Sequence, residues 1–174
     1  TIPDSVTTIG DGAFSGCSSL TEFKGKFASE DGRCLIIDGT LNSFAPAGVT
    51  EYTIPDSVTE IGDYAFYKCS SLASINIPDS VTEIGDVAFE DCSSLTSITI
   101  PNSVTKIGDY AFQYCSSLKS VYCNPTTPPS IGDRVFDNNA SGRKIYVPAE
   151  SVEAYKTASY SWKNYASDIV GYEF

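Results

Sequence analysis

Apolar and polar positions recur along this chain with a fixed period. The segment "TIPDSVTEIGDYAFYKCSSL" is repeated twice with few changes, and a fourth copy opens the chain. The last three copies begin 23 residues apart. A period of this length predicts a solenoid, because one coil cannot bury its apolar face alone and stacked coils share a core. The four copies start at Thr1, Thr53, Asn76 and Thr99.

Each regular unit predicts two short strands and one helical turn. Apolar and polar residues alternate in "LTSITIP", which is the pattern of a half-buried strand. The shorter run "VTEI" predicts a second strand with Val81 and Ile84 pointing inward. Gly85 is then expected to turn the chain, and Asp86 to cap a single helical turn over "VAFEDC".

The repeats predict a single domain of about six coils. The second unit is longer than the others, and Asp38-Gly39 lies between two β-prone runs inside it. Asp-Gly favours a tight hairpin turn, so this unit is interpreted as a repeat elaborated with a β-hairpin. The predicted boundaries are 1–24, 25–53, 54–76, 77–99, 100–122, a degenerate repeat over 123–148, and a C-terminal cap over 149–174.

The cap is predicted from a change of spacing. Residues 149–174 carry Val152, Tyr155 and Ala158 at helical intervals, followed by Trp162, the only tryptophan of the chain. The end of a solenoid exposes its core unless something covers it, which is the role expected of this segment.

Composition removes several classes of function. Eleven basic against 22 acidic residues give a formal charge of −11, which disfavours nucleic acid and anionic membranes as partners. The chain has no histidine, the commonest general base and metal ligand, and no run long enough to span a membrane. We therefore expect no enzyme, no deep pocket that holds two carboxylates, no cofactor and no metal.

The unit "IPDSVTEIGDYAFYKCSSLASIN" resembles the BspA-like leucine-rich repeats of bacterial surface proteins, which also occur in some protists. The resemblance covers nearly the whole chain through the pattern IPxSVTxIGDxAFxxCSSL, although Ile or Val often replaces Leu and no Asn ladder is present. It implies a curved, right-handed, mostly β leucine-rich-repeat solenoid with short helical turns. It also implies a secreted or surface-displayed protein, adhesion to host matrix proteins or cells, and no shared catalytic motif.

Four cysteines occupy the same position in four repeats. Equivalent side chains in stacked coils lie about 4.8 Å apart, farther than the roughly 3.8 Å between the Cβ atoms of a disulfide. They are therefore expected to form a buried ladder of free thiols. Cys34 and Cys123 are out of register, and a bond between them stays open. The four in register are Cys17, Cys69, Cys92 and Cys115.

An aspartate follows the glycine of each "IGD". Stacked carboxylates could hold Ca²⁺, but one per coil is too few for the calcium-binding β-roll pattern. Capping of the following turn explains them without a metal. They are Asp11, Asp63, Asp86, Asp109 and Asp133.

The positions that vary between repeats are the candidate binding residues. Tyrosines bracket the predicted helical turn and either form a binding surface or shield the edge of the core. Outward positions of the long strand carry small polar residues and one tyrosine. The candidates are Tyr64, Tyr67, Tyr110 and Tyr114 at the turn, and Asn76, Thr99 and Tyr122 on the strand.

These features predict a non-enzymatic, monomeric surface module that contacts an extracellular protein or glycoprotein. A carbohydrate-binding module that uses the tyrosine columns is the first alternative, and a structural spacer of a larger surface protein is the second. A cluster of exposed tyrosines favours binding, whereas uniformly hydrated faces favour the spacer.

Overall fold

Each repeat closes one coil, and about six coils stack into a solenoid in the computed structural model, which describes residues 1–174 apart from the side chain of Tyr160. The secondary structure is mostly short strands, with two short helices near the C-terminus. The strands are β1 (Cys34–Ile37), β2 (Thr40–Phe44), β3 (Glu51–Thr53), β4 (Glu60–Ile61), β5 (Ser74–Asn76), β6 (Glu83–Ile84), β7 (Ser97–Ile100), β8 (Lys106–Ile107), β9 (Ser120–Cys123), β10 (Ser130–Ile131), β11 (Lys144–Pro148) and β12 (Ile169–Tyr172).

The hairpin strands β1 and β2 and the two-residue strands form the first sheet, in the order β1-β2-β4-β6-β8-β10. Its repeat strands are parallel, and Ile61, Ile84 and Ile107 are register partners. The hairpin predicted at Asp38-Gly39 forms, and its second strand pairs with β4. The hairpin therefore joins the sheet where a regular repeat would place its short strand.

The longer strands form the other side of the coil. β3 pairs with β5, and β7, β9, β11 and β12 form a four-stranded parallel sheet. The inward residues Ile98 and Ile100 are buried, as the alternation predicted. Their outward neighbours line an exposed surface, which we call the long-strand face.

The core is a set of side-chain ladders that run along the stack. The rings of Phe66 and Phe89 lie parallel with centroids 4.8 Å apart, and those of Phe89 and Phe112 are 5.0 Å apart. The thiol of Cys92 donates to the carbonyl oxygen of Phe66 at 3.2 Å, and Cys115 bonds that of Phe89 in the same way. Equivalent residues thus bury one another, which explains why the repeat conserves them.

The cysteines are free thiols among the described residues. The prediction of a buried ladder is wrong for Cys17, which is exposed in the first coil. Cys34 and Cys123 are both buried, and each lies beside a tyrosine hydroxyl, Tyr52 at 3.2 Å and Tyr155 at 3.4 Å. Burial raises the pKa of each of these two thiols to about 12.

The segment "VAFEDC" does not form the predicted helical turn. Val87 and Asp91 both have a φ of 60°, in the left-handed region. The N–H groups of Val87, Phe89 and Asp91 donate to carbonyl oxygens of the next coil at 2.8, 2.7 and 2.9 Å. Every second amide therefore bonds to the neighbouring coil, which an α-helical turn would not allow.

The aspartates of "IGD" also act between coils. Asp63 Oδ1 accepts the N–H of Asp86 at 2.7 Å, and Asp86 Oδ1 accepts that of Asp109 at 2.8 Å. The prediction that these aspartates cap a helical turn is therefore wrong, since their carboxylates accept backbone N–H groups of the next repeat. The expected role of Gly85 also changes. Its φ is not left-handed, and a Cβ there would lie 2.7 Å from the amide nitrogen of Asp63.

The C-terminal segment closes one end of the stack. It contains a 3₁₀ turn (Ala149–Ser151), helix α1 (Val152–Thr157), helix α2 (Tyr160–Lys163) and strand β12. Tyr155 and Trp162 are fully buried, and the indole N–H of Trp162 donates to the carbonyl oxygen of Pro129 at 2.8 Å. Val152 is half-buried, but Ala158 is exposed, so the predicted helical face stops at Tyr155.

Candidate interaction surfaces

The predicted site residues lie on two different surfaces. Tyr64, Tyr67, Tyr110 and Tyr114 stand on the turns, whereas Asn76, Thr99 and Tyr122 stand on the long-strand face. We call residues 63–68, 86–91 and 109–114 the turn ridge. The structure thus separates the two groups instead of gathering them into one site.

On the long-strand face, strand pairing decides which side chains meet. Thr99 of β7 pairs with Tyr122 of β9, and Tyr122 pairs with Tyr146 of β11. Tyr146 in turn pairs with Val170 of β12. One row of outward residues therefore changes from small and polar to large and aromatic along the stack.

Four aromatic rings form a continuous cluster at that end, which we call the aromatic patch. The rings of Tyr122 and Tyr146 stack with centroids 4.9 Å apart at 16°. Tyr172 meets both rings edge to face at 5.5 and 5.6 Å, and Phe174 meets Tyr172 at 5.0 Å. Tyr172 is 43% exposed and Phe174 is 58% exposed, so the patch presents a large apolar area to solvent.

Sequence reasoning found only Tyr122 of this patch. Tyr146 lies in the degenerate repeat, where the lengthened unit hides its equivalence to Tyr122, although "KIYVP" still shows the strand-then-proline ending. Tyr172 and Phe174 lie in a segment interpreted as helical. The run "IVGY" could have indicated the strand that carries Tyr172, because β-branched and aromatic residues favour a strand.

Asn76 and Thr99 are exposed but lie outside the aromatic patch. Asn76 pairs with Thr53 across β5 and β3, so the residues around Asn76 are mostly short and polar, with Glu51 as a charged neighbour on β3. The structure therefore divides the long-strand face into a small polar half and an aromatic half.

The turn ridge is built by the left-handed residues described above. Tyr64, Lys68, Tyr110 and Tyr114 have φ values between 58° and 60°, a conformation that costs a non-glycine residue about 1 kcal/mol. In the first coil, glycines Gly12 and Gly16 hold the same two positions. Side chains at these positions range from exposed Tyr64, Lys68 and Tyr114 to half-buried Tyr110 and buried Val87.

The ridge tyrosines differ in exposure. Tyr64 is 39% and Tyr114 is 49% exposed, while Tyr67 and Tyr110 are half-buried. Tyr64 and Tyr67 meet edge to face at 5.9 Å. The ammonium of Lys68 lies 5.0 Å from the centroid of the Tyr67 ring.

The ridge is also acidic. Burial raises the pKa of the Glu90 carboxyl, and the neighbouring charge of Asp91 raises it further. Burial likewise raises the pKa of Asp63, although the hydrogen bond from the Asp86 N–H opposes this shift. A hydrogen bond to Tyr67 raises the pKa of Lys68.

One open hollow near the C-terminal cap, of about 340 Å³, is lined by two aspartates, Asp137 and Asp168. Asp168 forms an ion pair with Arg143 at 2.5 Å, and Asp137 accepts the hydroxyl of Tyr165 at 3.0 Å. Arg143 is buried against the rings of Phe136 and Tyr165. These groups hold the cap to the last coil.

Within the described side chains, no group of three or more His, Cys, Asp or Glu is placed to hold a metal ion. Neither of the helices found in the described chain is long and apolar enough to cross a bilayer.

Comparison with known proteins finds similarity to one family. Residues 1–29 and 40–166 match the model described as "BspA type Leucine rich repeat region", in six copies. No curated protein matches the chain.

Several solved structures are similar. A leucine-rich repeat protein from Bacteroides capillosus is 28% identical, with a TM-score of 0.57 over 66% of this chain and 91% of that one. A leucine rich cell surface protein from Faecalibacterium prausnitzii is 27% identical, with a TM-score of 0.58 over 94% of this chain, which spans about half (48%) of that protein. The pneumococcal vaccine antigen PcpA shares the fold, with a TM-score of 0.53 and 19% identity. The match covers 99% of this chain and 55% of PcpA.

Proposed function

The chain belongs to the BspA-type leucine-rich repeat family, and we propose that it is a non-enzymatic module that binds an extracellular protein or glycoprotein through its long-strand face. It does so as a single chain on the cell surface or after secretion. The similar Faecalibacterium prausnitzii protein is described as a cell surface protein, which supports this location.

The aromatic patch is the observation that carries the proposal. Exposed tyrosine and phenylalanine are enriched in the centres of protein interfaces, where they contribute apolar area at little cost in side-chain entropy. Here their rings also hold one another in place, since Tyr172 packs on both Tyr122 and Tyr146. A surface that is ordered before binding loses less entropy when a partner docks.

The ring arrangement favours a protein partner over a sugar. A carbohydrate stacks on the open face of an aromatic ring, but the Tyr122 and Tyr146 rings lie 4.9 Å apart, so each covers one face of the other. Tyr172 meets both rings edge to face, and such a compact cluster of rings and hydroxyl groups suits apolar and hydrogen-bonding contacts with a protein. The small polar residues around Asn76 and Thr99 would form the hydrated rim.

A binding screen tests the proposal. Matrix glycoproteins, mucins and glycans are immobilised, and saturable binding of the chain is measured at physiological salt. The patch variant, Tyr122→Ser/Tyr146→Ser/Tyr172→Ser, removes three of the four rings of the aromatic patch, and circular dichroism checks its fold. We expect at least one protein ligand to bind, and the variant to bind it about tenfold more weakly or worse.

The other outcomes separate the alternatives. Binding to free glycans that survives in the patch variant would favour a carbohydrate-binding module elsewhere on the surface. If the wild-type chain binds none of the ligands at micromolar concentrations, the protein-binding function is contradicted and a structural spacer becomes the better account.

A further inference from the structure

We propose that the turn ridge is a second interaction surface, and that it binds a Lys- or Arg-containing extended segment of a partner protein. This inference does not depend on the aromatic patch, because the ridge lies on the turns and the patch on the long strands.

The ridge places an acidic pair between two tyrosine-bearing coils. Tyr64 and Tyr67 belong to one coil, Glu90 and Asp91 to the next, and Tyr110 and Tyr114 to the one after. Backbone bonds hold this order, since the N–H of Lys68 donates to Glu90 and that of Asp91 to Gln113, both at 2.9 Å. At about 4.8 Å per coil, the two tyrosine coils are about 10 Å apart and the carboxylates lie between them.

Charge selects a cation as the occupant. The ridge carries five carboxylates and one ammonium group. Among the described residues, neither Glu90 nor Asp91 forms a salt bridge within 4.0 Å. The nearby Lys68 ammonium acts on both charges but lies over the Tyr67 ring, so each carboxylate can still pair with a partner's cation. Both residues are partly buried, which weakens the solvent screening of a salt bridge formed there.

The tyrosines indicate that the cation belongs to a side chain. The Lys68 ammonium already lies over the Tyr67 ring, which shows that a ring on this ridge can lie beside a positive group. A cation between a carboxylate and an aromatic ring forms an ion pair with the first and a cation–π contact with the second. Arginine also stacks on the ring through its planar guanidinium. A bare metal ion would instead need several converging carboxylates.

The backbone supports a binding role for these side chains. Gly12 and Gly16 show that glycine fits the same turn without strain, yet the middle coils place tyrosine, lysine, valine and aspartate there. These residues do not lower the local backbone energy relative to glycine, because a non-glycine residue with a left-handed φ is strained. Val87 is buried, whereas the tyrosines, Lys68 and Asp91 add a surface of rings and charges.

Fluorescence anisotropy with a labelled peptide of four arginines alternating with serines tests this, at an ionic strength of about 0.15 M. The control peptide carries citrulline, which is neutral, in place of arginine. We expect saturable binding of the arginine peptide only. The variant Tyr64→Ser/Tyr67→Ser/Tyr110→Ser/Tyr114→Ser keeps the net charge and should bind about tenfold more weakly.

Two further variants separate the ridge from the overall charge. Glu90→Gln/Asp91→Asn should also weaken binding about tenfold, whereas Asp4→Asn/Glu51→Gln removes two charges elsewhere and should change it less than about twofold. The patch variant should bind the peptide like the wild type. If the fourfold variant does not fold, Tyr114→Ser alone, at the most exposed ridge tyrosine, should still weaken binding measurably.

Equal binding by the wild type and the tyrosine variants would mean that only long-range attraction to an acidic protein is at work, and would overturn the proposal. Absence of binding by the wild type would overturn it as well.

Discussion

Gly108 shows how closely adjacent coils approach at the level of single atoms. A Cβ on this residue would lie 2.6 Å from the amide nitrogen of Asp86 and 2.7 Å from the carbonyl carbon of Gly85. Both are backbone atoms, which cannot move aside without displacing a coil. Gly108→Ala should therefore lower the free energy of unfolding by about 3 kcal/mol, measured by urea denaturation.

The matched control is Gly10→Ala, at the same position of the first repeat. A Cβ on Gly10 meets nothing within 4 Å, so this variant should retain the stability of the wild type. Equal losses in both variants would contradict the close approach of the coils at Gly108.

Glu90 gives a residue-level prediction about pH. Burial, then the charge of Asp91, raise the pKa of Glu90 in the folded chain above its ordinary 4.5. The folded state therefore holds this proton more tightly than the unfolded state, and stability falls as pH rises through the folded pKa. Glu90→Gln should raise the melting temperature at pH 7, and the gain should vanish by about pH 3, where the carboxyl is protonated in both states.

Glu51→Gln is the control for Glu90→Gln, because it removes one negative charge from the exposed strand β3. A gain for Glu90→Gln that persists unchanged at low pH would show that ionisation of this carboxyl is not the cause.

Among the elements, the C-terminal cap has the clearest energetic role. Trp162 is fully buried, packs edge to face on Tyr155 at 4.9 Å and bonds Pro129. Trp162→Ala should cost about 3 to 5 kcal/mol. Because each coil contacts mainly its neighbours, hydrogen exchange should accelerate at β10 and β11 and much less at β4 and β6.

The exposed Lys163 lies on the same helix as Trp162, so Lys163→Ala is the control and should leave exchange unchanged. Uniformly faster exchange along the whole stack in Trp162→Ala would contradict the local action of the cap.

The elements also show how far the sequence could predict the fold. The repeat period predicted the stack of coils, and local alternation predicted that Ile84 and Ile100 are buried. Asp38-Gly39 predicted the hairpin. The predicted helical turn does not form, because its amides bond to the next coil. The aspartate before "VAF" matches the sequence signal of a helix cap, but its carboxylate accepts an N–H of the next coil instead. The left-handed φ of Val87 is likewise imposed by stacking, since valine does not favour it.

The candidate surfaces were predictable only in part for a related reason. Period and alternation placed Tyr122 outward, and the variable columns identified the ridge tyrosines. The aromatic patch depends on β12 pairing with β11, a contact between residues far apart in the chain. Local spacing near Trp162 favoured helix, so Tyr172 could not be assigned to the sheet from the sequence.

For the molecule as a whole, burial predicts how its six thiols react. Cys17 is exposed, whereas the others are buried, and burial raises the pKa of Cys115 to about 12. Only the thiolate reacts readily, so Ellman's reagent should modify one thiol of the native chain and the remaining five after unfolding.

Cys17→Ser should then leave no rapidly reacting thiol in the native chain. Two or more rapid equivalents in the wild type would contradict the buried positions of the other cysteines, and fewer than six after unfolding without reductant would indicate a disulfide.

At this scale the repeated residues fill the core and join the coils, while the variable residues cover two separate faces. The most direct test is to measure the dissociation constant of a protein ligand found in the screen for the wild type, the patch variant and the fourfold ridge variant. The account predicts about tenfold weaker binding, or worse, when the aromatic patch is removed, and nearly unchanged binding when the ridge tyrosines are removed. Equal affinity for the wild type and the patch variant would contradict binding through the long-strand face.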